Sequence, residues 1–156
     1  MPENKELNRA YNYASRLLKI RPRSENEIRF RLSQKKYSQD VAEALIKSLK
    51  DSGYVDDFNF AVSWVRERIA KPLGIRRLEF ELREKGVAKE IIGTVIAQAK
   101  KDYPERKIID GLIEEKFAKF LNNPIDEKVR RKIQGFLLRR GFSPDKVIEA
   151  IEKLVA

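Results

Sequence analysis

REKGVAKE (Arg83–Glu90) is the clearest form of a phrase that occurs three times in the chain, again as RRGFSPDK (Arg139–Lys146) and, less clearly, as QKKYSQDV (Gln34–Val41). Each copy runs from basic residues through a Gly, or a Lys in the first copy, to one apolar residue and then into a new polar segment. A helix that ends in basic residues and Gly is typical of a left-handed C-terminal cap. The phrase therefore predicts a tight turn that makes two helices meet at an angle.

Apolar residues keep the same register around all three turns. With Lys36, Gly86 and Gly141 aligned, the copies are offset by 50 and 55 residues. The aligned apolar residues are Leu32, Leu82 and Leu137; Ile28, Leu78 and Ile133; Ala42, Ile92 and Val147; Leu45, Val95 and Ala150; and Ile46, Ile96 and Ile151. The pattern predicts three tandem three-helix repeats of about fifty residues, over 1–53, 54–102 and 103–156, each too small to be stable alone.

Helical periodicity extends over almost the whole chain, and sustained alternation is missing, so the sequence predicts an all-α fold. The predicted helices span 5–20, 24–36, 38–52, 57–71, 74–85, 88–101, 103–121, 126–140 and 143–155. Ser24 and Glu27 form a predicted capping box, and Pro144 falls at a predicted first helical position. The other predicted N-caps are Ser38, Asp57, Asp126 and Ser143, and the predicted left-handed helix ends are Gly53, Gly86 and Gly141.

The composition restricts the function. The 156 residues carry a net charge of +10 with 37% charged and 42% hydrophobic residues, which fits a folded protein with a polyanionic partner, either nucleic acid or an acidic protein surface. There is no Cys and no His, so disulfides, thiolate nucleophiles, common zinc sites and the usual general base are excluded. We expect a cytoplasmic protein without a targeting or membrane-spanning segment.

Catalytic chemistry is not indicated. No Gly-Lys pair occurs, so no phosphate-binding loop of the nucleotide-binding type is present, and the adjacent Asp56 and Asp57 lie where a helix needs a cap. Glu114 and Glu115 point to different sides of their helix. We expect no enzyme activity, no cofactor and no metal.

Cationic residues gather on and around the second helix of each repeat. Rows of this kind contact phosphates or carboxylates without reading sequence, although any single member could serve only as a solvated or helix-end charge. The candidate contact residues are Arg21, Arg23, Arg29, Arg31, Lys35, Lys36, Lys71, Arg76, Arg77, Arg83, Lys85, Arg130, Arg131, Arg139 and Arg140.

The turn also raises the alternative of a DNA-reading helix-turn-helix regulator. The third helices carry a poor set of base-reading residues, including Asp40, Glu43, Lys89 and Glu90, which argues against sequence reading. Phe30 and Phe80 occupy equivalent positions on the second helices, where we expect them to be buried; stacking on bases is the alternative. We expect Trp64 and neighbouring aromatic residues, Phe58 among them, to form core.

Three stretches together resemble the RecX regulatory proteins of bacteria. They are LKIRPRSENEIRFRL (residues 18–32), GYVDDFNFA (residues 53–61) and GIRRLEFELREKGV (residues 74–87). The third repeat matches as a degenerate copy, with Gly135 in the place of Phe30 and Phe80.

The resemblance implies an elongated, curved array of three-helix modules that binds the recombinase RecA on single-stranded DNA. It also implies inhibition or modulation of the RecA ATPase, strand exchange and filament growth. The expected partners are the RecA filament, single-stranded DNA and duplex DNA without sequence specificity, and we expect a monomer.

Overall fold

The computed structural model describes residues 2–155, with side chains from residue 5 onward; Met1 and Ala156, at the outer ends of the predicted first and third repeats, lie outside the described residues. Nine α-helices, one 3-10 helix and no strand occur over residues 2–155, which confirms the all-α fold class. The helices are α1 Pro2–Ile20, α2 Glu25–Gln34, α3 Gln39–Asp51, α4 Asp57–Arg68, α5 Ile75–Glu84, α6 Lys89–Asp102, α7 Glu105–Phe117 with the 3-10 helix Ala118–Phe120, α8 Glu127–Arg139 and α9 Pro144–Val155.

The aligned apolar residues of the three repeats are all buried, as the repeat predicts. Leu32, Leu82 and Leu137 each have 0% exposure, as do Ile28, Leu78 and Ile133. The side chains at the other aligned positions are no more than 7% exposed. The common register therefore marks the same inward face in each copy.

The three turns close in the same way. The backbone N–H groups of Tyr37, Val87 and Phe142 donate to the carbonyl groups five residues earlier, at 3.2, 3.1 and 3.3 Å. Gly86 and Gly141 have φ of 76° and 86°, and Lys36 takes φ of 64°. This is the Schellman motif, in which a residue in the left-handed conformation allows the last carbonyl groups of a helix to accept hydrogen bonds from the following backbone N–H groups.

The predicted N-caps are largely confirmed. Ser24 and Glu27 form a complete capping box, and Ser38 and Asp126 accept the backbone N–H three residues on. The prediction for Asp57 is wrong, because Asp56 Oδ1 accepts from Asn59 N at 3.1 Å while Asp57 is already helical.

Asp57 and Ser143 use their polar groups elsewhere. The Asp57 carboxylate accepts from the backbone N–H of Glu25 at the start of α2, at 2.8 Å. The Ser143 hydroxyl donates to Glu105 at 3.3 Å, and α9 begins at Pro144 as predicted. Both side chains therefore tie a helix start to another segment.

The chain divides into two compact units, one comprising Met1–Trp64 with Leu82–Val95 and the other Val65–Glu81 with Ile96–Ala156. In the first unit α1, α2 and α3 pack together around Ala10, Ala14, Ile28, Leu45 and Ile46. In the second unit α7, α8 and α9 pack around another apolar core. Both units include parts of the middle repeat, and the predicted boundaries at 53 and 102 stay a prediction.

Candidate basic binding surface

A joint between the first and second repeats, the first joint, lies within the first unit. The Ser24 hydroxyl at the start of α2 donates to the carbonyl of Lys85 at the end of α5, at 2.6 Å. Gly86 is the next residue after Lys85, and a Cβ added to Gly86 would stand 2.4 Å from the Cβ of Asn26. The turn glycine therefore serves both the left-handed turn and close packing.

An equivalent joint, the second joint, lies within the second unit. The backbone N–H groups of Gly74 and Arg76 donate to the carbonyls of Arg140 and Gly141, at 2.9 and 3.0 Å. A Cβ on Gly74 would stand 2.1 Å from the carbonyl of Gly141, and one on Gly141 would stand 2.4 Å from the Arg77 backbone nitrogen. The start of α5, the second helix of the middle repeat, thus packs on the turn that follows α8, the second helix of the third repeat.

Sequence reasoning assigned the glycine phrase to the turn and missed the joint. The available signal was the position of the small residues Ser24 and Gly74, which are 50 residues apart, the same offset as Lys36 and Gly86. Lys36 occupies the equivalent turn in the first repeat, and its side chain is exposed. A side chain therefore fits at position 36 and not at Gly86 or Gly141.

Seven of the fifteen predicted contact residues point charge into solvent. Their side chains are exposed, and no ion pair is formed by them within the part of the chain that the structure describes. They are Arg31, Lys35, Lys36, Lys71, Arg76, Arg83 and Arg139. We call this set the exposed cations.

Six others pair with carboxylates. Arg29 lies between Glu25 and Glu43, at 2.9 and 2.7 Å. The remaining pairs are Arg21 and Lys85 with Glu27, Arg77 with Glu81, and Arg130 and Arg131 with Glu127. Pairing with a carboxylate of the same chain partly neutralises their charge, so we expect them to contribute less to binding an anionic partner than unpaired cations do.

Three cations at the ends of second helices share one further role. The ammonium groups of Lys35 and Lys85 lie 5.5 and 5.0 Å from the centroids of Tyr13 and Trp64. The Arg140 guanidinium lies 4.7 Å from the Phe136 centroid. Each contact is within cation–π range; Lys35 and Lys85 contact rings of other helices, and Arg140 contacts a ring of its own helix.

Arg23 differs from the other predicted contact residues, because it is only 7% exposed. Its guanidinium lies 3.7 Å from Glu27, and its buried Nε has no hydrogen-bond partner in the described structure. Burial and then the positive charge of Arg21 lower the pKa of Arg23, against the opposing effect of Glu27. Arg23 therefore adds positive charge behind the surface and does not itself belong to it.

Glu27 is the carboxylate around which Arg21, Arg23 and Lys85 converge. Burial raises its pKa, but hydrogen bonding to Arg21, at 2.5 Å, and the surrounding positive charge outweigh this and lower the pKa below its ordinary range. One carboxylate among three cations leaves this cluster with surplus positive charge.

An open groove of about 580 Å³ adjoins this cluster. It is lined by Arg21, Asn26, Glu27, Phe30, Arg31, Gln34, Glu84 and Lys85, all of which belong to the first unit. We call it the first-joint groove. It combines an aromatic ring, amide groups and cations on one surface.

Both second-helix phenylalanines are exposed, so the prediction that they are buried is wrong. Phe30 is 60% exposed and Phe80 is 46% exposed, with the Arg77 guanidinium 5.8 Å from the Phe80 centroid. Each follows a buried aligned residue by two positions, which turns it to another face of its helix. Phe58 is also 41% exposed, whereas Phe60 is buried as expected and stacks on Trp64.

Among the described residues, no group of three or more acidic side chains is placed to hold a metal ion. No helix within residues 2–155 combines the length and apolar character needed to cross a bilayer.

The helical repeats, their glycine joints and their cationic second helices define a class of tandem three-helix-repeat proteins. Family models for the first, second and third three-helix domains of RecX match residues 10–49, 56–96 and 105–151. The chain belongs to the RecX family. The matches also confirm the predicted organisation in three three-helix units.

Curated relatives support the same assignment, and two solved structures share the fold. Proteins named regulatory protein RecX from Mycobacterium sp. (strain KMS) and Pelodictyon phaeoclathratiforme are 37% and 33% identical over 147 residues, covering 91% and 94% of this chain and 79% and 89% of theirs. The crystal structure of RecX from Lactobacillus salivarius matches the fold with a TM-score of 0.84 at 22% identity, over 97% of each chain. A crystal structure of regulatory protein RecX gives 0.82 at 24% identity, over 97% of this chain and 74% of that chain.

Proposed function

We propose that the protein is a non-catalytic regulator that binds the RecA filament on single-stranded DNA and restrains its ATPase, strand exchange and growth. Membership in a family of proteins named as regulators supports a regulatory role. The observation on which the proposal rests is the set of exposed cations, because it occurs on and around the second helix in every repeat.

The exposed cations suit an anionic lattice better than a single anion. Arg31, Arg83 and Arg139 belong to different repeats, and each presents a guanidinium that binds phosphate or carboxylate oxygens. Contacts that are weak in each repeat add through effective concentration when the partner repeats as well. A filament of identical protomers on DNA offers such a partner.

The third helices support this function over the alternative of a DNA-reading transcription regulator. On α3, Glu43 accepts from Arg29 at 2.7 Å, so its carboxylate is already engaged. On α6, the Thr94 hydroxyl donates to the carbonyl of Glu90 in its own helix, at 3.1 Å. Groups held in this way offer little for base recognition in a major groove.

The test compares binding of the purified protein to RecA filaments, bare single-stranded DNA and duplex DNA at near-physiological salt, together with RecA ATPase rates. We expect the tightest binding to the filament, a fall in ATPase rate, and no preference for any duplex sequence. We also expect a monomer in solution and no ATP hydrolysis by the protein alone. Equal binding to filament and bare DNA, or selection of a specific duplex site, would refute the proposal.

A further inference from the structure

We propose that the first-joint groove holds one nucleotide of single-stranded DNA, with its base stacked on Phe30 and its phosphate against Arg31 and Lys85. This inference rests on the proposed function, since it assigns the DNA contact of that function to one place. It names a binding mode, stacking, that the exposed cations alone do not provide.

The aromatic ring is the first element of the site. Phe30 lines the groove and is 60% exposed, whereas Ile28 and Leu32 on the same helix are fully buried. A nucleobase presents a flat π-face to such a ring, and stacking of this kind tolerates any sequence. The amide side chains of Asn26 and Gln34 line the same groove and offer both donors and acceptors to a base edge.

The charge of the groove is the second element. Three cationic side chains and two carboxylates line it, and Arg23 adds a further positive charge behind Glu27. The exposed Arg31 forms no ion pair with any described carboxylate, so its guanidinium is available to a phosphate. Lys85 also lines the groove, and its ammonium group lies 3.9 Å from Glu27 and 5.0 Å from the Trp64 centroid.

Size and chemistry together favour a nucleotide over an acidic peptide. The volume of about 580 Å³ falls within the range of about 300–1,000 Å³ usual for small-ligand sites. An acidic peptide would use the cations of the groove but has no flat π-face to stack on the exposed Phe30 ring. A nucleotide uses the ring and the cations at once.

The test uses fluorescence anisotropy of the full chain with a fluorescein-labelled thymidine oligonucleotide and an abasic oligonucleotide of the same length. We expect wild type to prefer the thymidine oligonucleotide, because only it can stack. Phe30→Ala should weaken its binding by about 5- to 150-fold, leave the abasic oligonucleotide unaffected, and so remove the preference. Phe30→Tyr should restore it.

Two further variants isolate the elements of the site. Arg31→Gln should weaken both oligonucleotides, since it removes a phosphate contact and no ring. Tyr54→Ala removes another aromatic residue, 66% exposed and outside the groove, and should change neither. Circular dichroism verifies that each variant is folded.

Several outcomes would overturn the inference. Equal affinity of wild type for the two oligonucleotides would exclude stacking, and equal losses in Phe30→Ala and Tyr54→Ala would exclude this groove. Displacement of the oligonucleotide by a poly-glutamate peptide at lower concentration than by unlabelled thymidine oligonucleotide would favour an acidic peptide. Photocross-linking of an iodouracil-substituted oligonucleotide should label the peptide containing Phe30, and labelling confined to other peptides would contradict the site.

These outcomes are distinct from a failure of the proposed function. If Phe30→Ala binds thymidine oligonucleotide like wild type while wild type still lowers the RecA ATPase rate, only the groove assignment fails. If binding depends on Phe30 but wild type leaves RecA filaments unaffected, the regulatory function fails and the nucleotide site remains.

Discussion

Replacing Gly86 by Ala tests whether the turn glycine is needed for the joint as well as for the turn. Gly86 has φ of +76°, and its added Cβ would stand 2.4 Å from the Cβ of Asn26. Gly53, in the same unit, has nearly the same φ of +78° but no atom within 4 Å of its added Cβ. Gly53→Ala is therefore a matched control that carries the backbone strain without the steric clash.

The two variants should differ by the free energy of the clash. Left-handed backbone costs a residue with a Cβ about 1–2 kcal/mol, and the loss of unfolded-state freedom returns about 0.4–1 kcal/mol, so Gly53→Ala should lower the free energy of unfolding by about 1 kcal/mol. Gly86→Ala adds overpacking of about 1–3 kcal/mol and should cost about 2–4 kcal/mol in total. Asn26→Gly in the Gly86→Ala background should recover part of the lost free energy of unfolding, because it removes the Asn26 side-chain atoms that clash with the added Cβ.

Urea denaturation followed by circular dichroism measures these free energies, with unchanged slopes as the check that the unfolding transitions are comparable. The double-mutant cycle of Gly86→Ala with Asn26→Gly isolates their coupling. If Gly86→Ala and Gly53→Ala cost the same within about 0.5 kcal/mol, or if the cycle shows additive effects, the close packing at the first joint is refuted.

Three other single substitutions should change the free energy of unfolding. Lys36→Gly should stabilise the protein by about 0.5–1 kcal/mol in urea denaturation, because Lys36 alone among described non-glycine residues has a positive φ, of 64°. Gly93→Ala should stabilise α6 by about 1 kcal/mol, since the added Cβ meets no atom within 4 Å; a loss of stability would contradict this. Glu27→Gln should cost about 2–3 kcal/mol at neutral pH by leaving cations without their carboxylate. The folded-state pKa of Glu27 lies below its ordinary 4.5. The difference in the free energy of unfolding between wild type and Glu27→Gln should therefore reach its full value above pH 4.5 and disappear as the pH falls through the folded-state pKa. A difference that does not depend on pH would contradict this prediction.

The repeat could be predicted from the sequence because it depends on patterns between residues that are close together in the chain. The aligned positions of Leu32, Leu82 and Leu137 follow helical spacing from a turn residue, and burial of that face follows from the hydrophobic effect. Caps such as Ser24 and Ser38 act within one turn of helix, so their partners are close in sequence as well.

The joint and the state of the cations could not be predicted in the same way. The Ser24 hydroxyl donates to the carbonyl of Lys85, 61 residues away, and the sequence around either residue does not indicate this partner. Arg23 and Arg31 look alike in sequence, yet Arg23 is buried beside Glu27 while Arg31 is exposed. The sequence predicts burial for Phe30, a large apolar residue, whereas its exposure depends on which face of α2 the other helices cover.

The central claim, that the exposed cations hold the protein on an anionic filament, is tested most directly by the salt dependence of binding to RecA filaments on single-stranded DNA. Arg31→Gln/Arg76→Gln/Arg83→Gln removes three exposed cations, and Arg29→Gln/Arg130→Gln/Arg131→Gln removes the same charge from residues that pair with carboxylates. The first variant should lower the slope of log K against log salt by about 2–3 and weaken ATPase inhibition, while the second changes both far less. Equal effects of the two variants, or unaltered inhibition by a folded first variant, would contradict the claim.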